Sequence, residues 1–139
     1  MSHPVTAGWY TPMLHVSSIE QSIPFYERLG FELIDTDRCE PIGWARMHCQ
    51  GGALMFLRSE RPPEPVEQAT LFVMYTPDLP AFRTRLLEAG AAISDIEYPD
   101  HGPSGEAYLA DPDGYRLCIV HWSDKEHQEW LKRIGRESV

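Results

Sequence analysis

Residues 106–122 read EAYLADPDGYRLCIVHW. Two runs of strand-forming side chains, EAYLAD and YRLCIVHW, flank Asp111-Pro112-Asp113-Gly114, whose proline and glycine suit a tight reversal, so the stretch predicts an antiparallel hairpin. Working outward toward the N-terminus, AISDIEY (92–98) reads as a further strand. Before it, LPAFRTRLLEAG (79–90) reads as a helix capped by Asp78 and ended by Gly90, and ATLFVMYT (69–76) as the strand that opens the segment. The second half of the chain is therefore expected to be strand, helix, strand, strand, strand.

The first half repeats that order. YTPMLHV (10–16) reads as a strand, and Ser18 with Gln21 forms a capping box that opens the helix IEQSIPFYERLG, ended by Gly30. Pro24 removes a backbone donor inside this helix and is expected to kink its second turn. FELIDTD, GWARMHC and ALMFLRS follow as strands, the last two joined at Gly51-Gly52. Between the halves, ERPPEPVEQ (60–68) carries three prolines and reads as a linker. Two βαβββ modules offset by about sixty residues make an internal repeat, visible in the order of elements rather than in identity. A third helix starts at Ser123, with Glu126 completing a capping box, and sets Trp130, Leu131 and Ile134 on one face for core or subunit packing. The expected fold class is α+β. The chain 1–139 is taken as one domain, with module 1 at about 9–59, linker at about 60–68, module 2 at about 69–122 and a C-terminal helix at about 123–136.

Composition narrows the partners. With 139 residues and 42% hydrophobic content, the chain suits one globular domain. Twelve basic against 21 acidic side chains give a net charge of −9, which argues against nucleic acid and anionic membranes and favours a cationic ligand. No apolar run approaches the roughly 18 residues of a membrane span, and MSHPVTAGWY lacks the layout of a secretory signal, so a cytoplasmic location is expected. Cys39, Cys49 and Cys118 are an odd set without CxxC spacing, which suggests reduced thiols rather than a disulfide framework or zinc knuckle.

MLHVSSIEQSIPFYERLGFEL, with its Ser-x-x-Phe-Tyr stretch and Leu-Gly-Phe exit, resembles the opening of the vicinal oxygen chelate superfamily. EAYLADPDGYRLCIV resembles that superfamily's closing hairpin, and the likeness spans residues 9–122. The resemblance implies two βαβββ modules forming a cupped mixed sheet around a cavity, the fold of glyoxalases, bleomycin-resistance proteins and dihydroxybiphenyl dioxygenases. Metal enzymes of this kind take ligands from the first and fourth strands of each module. Carried onto this chain, those positions fall at Thr11, Phe56, Leu71 and Cys118. Phenylalanine and leucine have no lone pair to offer, and one hydroxyl with one thiol does not make a divalent-ion site, so no metal is expected. The alternative is a relocated Zn, Ni, Mn or Fe held by residues such as His15, His48, His121 or Glu106, although strand alternation puts His121 on the face opposite Cys118.

Alternation also selects a candidate cup lining. Thr11, Met13 and His15 share a face, as do Leu54, Phe56 and Arg58, then Leu71, Val73 and Tyr75, then Arg116, Cys118 and Val120. Such a lining is apolar with a few polar groups, here His15, Tyr75 and Tyr108, and Tyr108 matches a substrate-contacting tyrosine of the fosfomycin-modifying relatives. Trp44 either lies against a planar ligand or packs beneath a helix, and His15 either faces the cup or is satisfied within the core. Cys118 reads as a small buried hydrophobe, since no base is identified for it. The acidic stretch IEYPDHG, with Glu106 nearby, is a solvated loop or a rim that draws cations. The resulting expectation is a ligand site of Thr11, Met13, His15, Trp44, Phe56, Leu71, Tyr75, Tyr108 and Cys118 with no catalytic residue. It belongs to a homodimeric, metal-free binding protein for a small molecule, an antibiotic included, as in the bleomycin-resistance branch. The alternative function is a metal-dependent lyase, isomerase or dioxygenase.

Overall fold

Ser18, Asp78 and Ser123 each cap a helix, and these caps set the frame of the computed structural model, which describes residues 5–61, 64 and 70–136. Their side chains accept from the backbone N–H groups of Gln21, Ala81 and Glu126 at 3.3, 3.1 and 3.1 Å, supplying acceptors that a helix start otherwise lacks. At Ser123 the box is reciprocal, because Glu126 accepts the Ser123 N–H at 3.2 Å. The chain divides into two compact units, Met1–Pro63 and Glu64–Val139. Linker residues 62, 63 and 65–68 lie outside the described residues.

The first unit runs β1 (Met13–Val16), α1 (Ile19–Leu29), β2 (Glu32–Thr36), β3 (Trp44–Cys49) and β4 (Gly52–Arg58). Its sheet has the order β1-β4-β3-β2, with β1 parallel to β4 and the other pairs antiparallel. The β3–β4 reversal uses Gln50 and Gly51, one residue earlier than the expected Gly51-Gly52, since Cys49 already pairs with Gly52. The helix runs unbroken through Pro24 and ends at Gly30, whose φ of 112° is open to glycine at little cost. Tyr26 is buried with its ring 5.1 Å from that of Phe56, and Leu14, Val16, Ile19, Ala45, Met47 and Leu54 complete the core on that side of the sheet.

The second unit runs β5 (Phe72–Thr76), α2 (Leu79–Glu88), β6 (Glu106–Ala110), β7 (Arg116–His121) and α3 (Asp124–Ile134), with sheet order β5-β7-β6. The pairing repeats that of the first unit: first strand parallel to last, last antiparallel to its hairpin partner. The expected strand at 92–98 is reduced to isolated bridges at Ile93 and Glu97 against β6. Ser94 explains the gap, for its hydroxyl takes the Tyr108 N–H at 2.8 Å while its own N–H donates to the Tyr108 carbonyl, a side-chain bond standing in for a ladder bond. The hairpin turn is organised by buried Asp111, whose Oδ1 accepts from the N–H groups of Asp113 and Tyr115, both at 2.9 Å. Leu79, Leu86, Leu117 and Ile119 are buried on the α2 side. Of the α3 stripe, Leu131 is buried and Trp130 packs edge-on against Trp122, so most of it is consumed within the unit; Ile134 stays exposed. Among the described residues no helix is long and apolar enough to cross a membrane.

Candidate functional site

The face of each sheet turned away from its first helix carries two cross-strand rows. In the second unit, register aligns Val73, Cys118 and Tyr108 in one row and Tyr75, Val120 and Glu106 in the next. In the first unit, the matching rows are Met13, Met55 and Arg46, then His15, Leu57 and Trp44.

Glu106 organises the second unit's rows. Only 5% of it is exposed, and its carboxylate accepts from the Tyr108 hydroxyl at 2.8 Å and from the Cys118 thiol at 3.7 Å. His101 Nε2 stands 3.4 Å from the same carboxylate, from an exposed loop position. The bond to Glu106 holds the Tyr108 phenol well above its ordinary pKa, because ionising it would break that bond and set two negative charges together. Burial pushes the Cys118 thiol up as well, the hydrogen bond from Tyr108 works the other way, and the neighbouring carboxylate adds to the rise. Both groups are therefore protonated donors near neutral pH, and neither is set up as a nucleophile. Arg116 lies over the Tyr108 ring at 5.6 Å, a cation–π contact at the end of the row.

Most of the expected ligand residues fall on these two faces. Met13 and His15 are exposed, Trp44 is half-buried opposite the α1 side, Leu71 is exposed immediately before β5, Tyr75 is 64% exposed, and Tyr108 and Cys118 belong to the Glu106 cluster. Thr11 accepts from Arg46 on the first unit's face. Phe56 is a correction. It pairs with buried Leu14, has 0% exposure and packs against Tyr26, so it belongs to the helix side; a shift of one residue along a strand exchanges the two faces. Leu54 is buried on that side too, and Met55 and Leu57 occupy the face assigned to the even-numbered residues. His121 lies opposite Cys118 as alternation implies, and its Nδ1 accepts the Leu79 N–H of α2 at 3.1 Å. Glu106 and His48, expected only as ligands of a relocated metal, and Arg46 and Met55, not expected at all, also stand on these faces. For Arg46 and His48 the available signal was their alternation with Trp44 along β3.

A divalent ion finds a poor donor set at the family-implied positions. The Thr11 hydroxyl faces a guanidinium, Phe56 faces the helix, Leu71 has no donor, and the Cys118 thiol is held protonated. Met55, which register places where Cys118 stands in the other unit, offers only a thioether. Among the described residues no group of three or more His, Cys, Asp and Glu side chains is arranged to hold a metal ion.

Comparison with known proteins places this architecture. A bleomycin-binding protein solved in complex with bleomycin is 25% identical, with a TM-score of 0.64 over 83% of this chain and 98% of that one. The bleomycin resistance determinant encoded on the transposon Tn5 is 24% identical, with a TM-score of 0.66 over 85% and 99%. TnmS3, an antibiotic binding protein from Streptomyces sp. CB03234, is 22% identical, with a TM-score of 0.65 over 86% and 98%. The last two likenesses speak to the fold. No curated protein sequence matches the chain. Residues 7–119 match the profile of a single family, and on that span the chain belongs to the Glyoxalase/Bleomycin resistance protein/Dioxygenase superfamily.

Proposed function

We propose that this chain is a metal-free binding protein that sequesters a small molecule, with the second unit's sheet face as the principal contact surface. The observation that carries the reading is the buried Glu106 carboxylate, fixed by Tyr108 and Cys118 beside the apolar side chains of Val73 and Val120 and the exposed ring of Tyr75. An apolar surface with one oriented polar group is the usual construction of a small-molecule site. The carboxylate suits a ligand with an apolar or aromatic body and a cationic or hydrogen-bond-donating group, and the net charge of −9 favours its approach. A relative described as binding bleomycin supports the small-molecule binding role.

The reading includes a homodimer acting in the cytoplasm. Val73 and Tyr75 are exposed on β5, an edge of its sheet, and Leu71 is exposed just before it; such a strand is poorly tolerated unless covered. The three cysteines are unpaired thiols. Sedimentation at micromolar concentration is expected to show a dimer, and a monomer alone would remove that part of the proposal.

Titration calorimetry with bleomycin tests the function. Binding is expected with one saturable stoichiometry, a raised melting temperature by mass action, and a clear loss of affinity in Glu106→Gln. The competing reading is a lyase, isomerase or dioxygenase with a relocated ion, for which His101, 3.4 Å from the Glu106 carboxylate, would supply with it a pair of donors, short of the three such an ion needs. Near-stoichiometric Zn, Ni, Mn or Fe after purification without chelator or nickel resin would overturn the metal-free proposal.

A further inference from the structure

The first unit's sheet face holds a guanidinium whose hydrogen-bond partners among the described residues are all neutral. Arg46, half-buried on β3, donates from Nε to His48 Nε2 at 2.9 Å, from one terminal nitrogen to Thr11 Oγ1 at 3.1 Å, and from the other to Met55 Sδ at 3.7 Å. An imidazole that accepts such a bond is in its neutral form, and a hydroxyl and a thioether carry no charge. Asp35 is the register partner of Arg46 just beyond a bulge in β2, but its carboxylate accepts the Thr36 N–H at 2.9 Å. Arg46 belongs to neither the Arg83–Asp95 nor the His101–Glu106 ion pair.

A partly buried charge held in place without a counter-charge is costly unless something else completes it. Three of the five guanidinium N–H donors are used, which leaves two to present to a ligand. We propose that Arg46, positioned by Thr11 and His48, is an anion-recognition site for a carboxylate or phosphonate whose apolar body lies along Trp44 and Leu57, its neighbours on the same face. Two donors on a planar cation match two oxygens of such a group, and a flat indole beside it suits an aromatic body. The residues are distinct from the Glu106 cluster, so this site stands or falls independently of the second unit's ligand.

The test is a titration of the full chain with 4-nitrobenzoate and, separately, with uncharged 4-nitrobenzamide, followed by tryptophan quenching. Wild type is expected to bind the carboxylate at least about tenfold more tightly than the amide, a preference that shrinks as salt is raised. Arg46→Gln should erase the preference, Arg46→Lys should keep part of it, and Asp35→Asn should leave it intact. Trp44→Phe should remove most of the quenching. Equal affinity for the two probes, no binding of either, or a preference that survives Arg46→Gln would overturn the proposal. Because the comparison of probes uses the wild-type chain, it decides the matter even if Arg46→Gln fails to fold.

Discussion

Glu106 and Cys118 are not register partners in the β6–β7 ladder, yet the Glu106 carboxylate reaches across to within 3.7 Å of the Cys118 sulfur. A carboxylate from β6 thus stands next to a position on β7 from which the superfamily's metal enzymes are expected to supply a ligand. Cys118→Glu would set a second carboxylate beside the first in a buried place, where like charges oppose joint ionisation. The folded-state pKa of the pair would rise, so the variant should be most stable below about pH 4, near the ordinary carboxylate value, and lose stability as pH rises through the raised value. Thermal melts from pH 4 to pH 8 are expected to show that decline. Calorimetry should find no tight Ni or Mn binding; a tight one-to-one complex would show that other donors converge there.

Phe56 is a test of register rather than of ligand affinity. Phe56→Ala removes a fully buried ring from under Tyr26 and is expected to cost on the order of 3–5 kcal/mol in urea unfolding. Leu57→Ala, on the opposite face and only half-buried, should cost much less. Similar losses for the two would contradict the assignment of faces.

That misplacement shows where sequence information ended. Helix limits were legible because caps are local: Ser18, Asp78 and Ser123 each bond within the next few residues. The repeated element order and the Asp111 turn were legible for the same reason. The facing of β4 was not, since Ala53 to Leu57 is apolar throughout and shows no alternation; only pairing with Leu14, far away in sequence, selects the buried side. The AISDIEY segment has strand composition, but the Ser94 hydroxyl competes for a ladder donor, which composition does not show. Arg46 and Glu106 gain their meaning from partners distant in sequence, Thr11 before β1 and Met55 on β4 for one and Cys118 on β7 for the other.

His121, a candidate ligand for a relocated metal, instead completes the start of α2. His121→Leu keeps an apolar volume but leaves the Leu79 N–H without its acceptor, and should cost about 1–3 kcal/mol in chemical denaturation. Metal content should not change. A stability loss within error of zero would mean that water replaces the imidazole at no cost.

Acid should loosen α3 through Glu126. Burial works to raise its pKa, but the hydrogen bonds from Ser104 and from the Ser123 N–H and hydroxyl outweigh it, so the folded value lies below the ordinary 4.5. A lowered carboxylate pKa contributes stability that is present above 4.5 and is lost as pH falls through the folded value. Ser104→Ala should reduce this acid-dependent loss. An unchanged acid profile, followed by tryptophan emission, would exclude the Ser104 bond as a contributor.

Alkali should act on the other end of the scale, through Cys118 and Tyr108. Both must stay protonated in the folded protein, and on unfolding they return to ordinary values of 9.0 and 10.0. Above those values the unfolded chain holds fewer protons than the folded one, so stability falls with rising pH. The contribution is therefore complete below about pH 9 and declines from there as each folded-state value is approached. Urea midpoints are expected to be level between pH 7 and pH 8.5 and to fall from about pH 9 upward. The two groups are separable: Cys118→Ala should delay the onset of the fall toward pH 10, whereas Tyr108→Phe should keep the early onset and flatten the later part. Tyr108→Phe also withdraws a hydroxyl donor from a buried carboxylate, so it should lower stability at pH 7 by about 1–2 kcal/mol, more than the removal of an exposed hydroxyl. A wild-type profile level to pH 11 would show that the thiol and phenol ionise as freely in the folded chain as in the unfolded one, and a Cys118→Ala profile that overlays a falling wild-type profile would show this of the thiol alone.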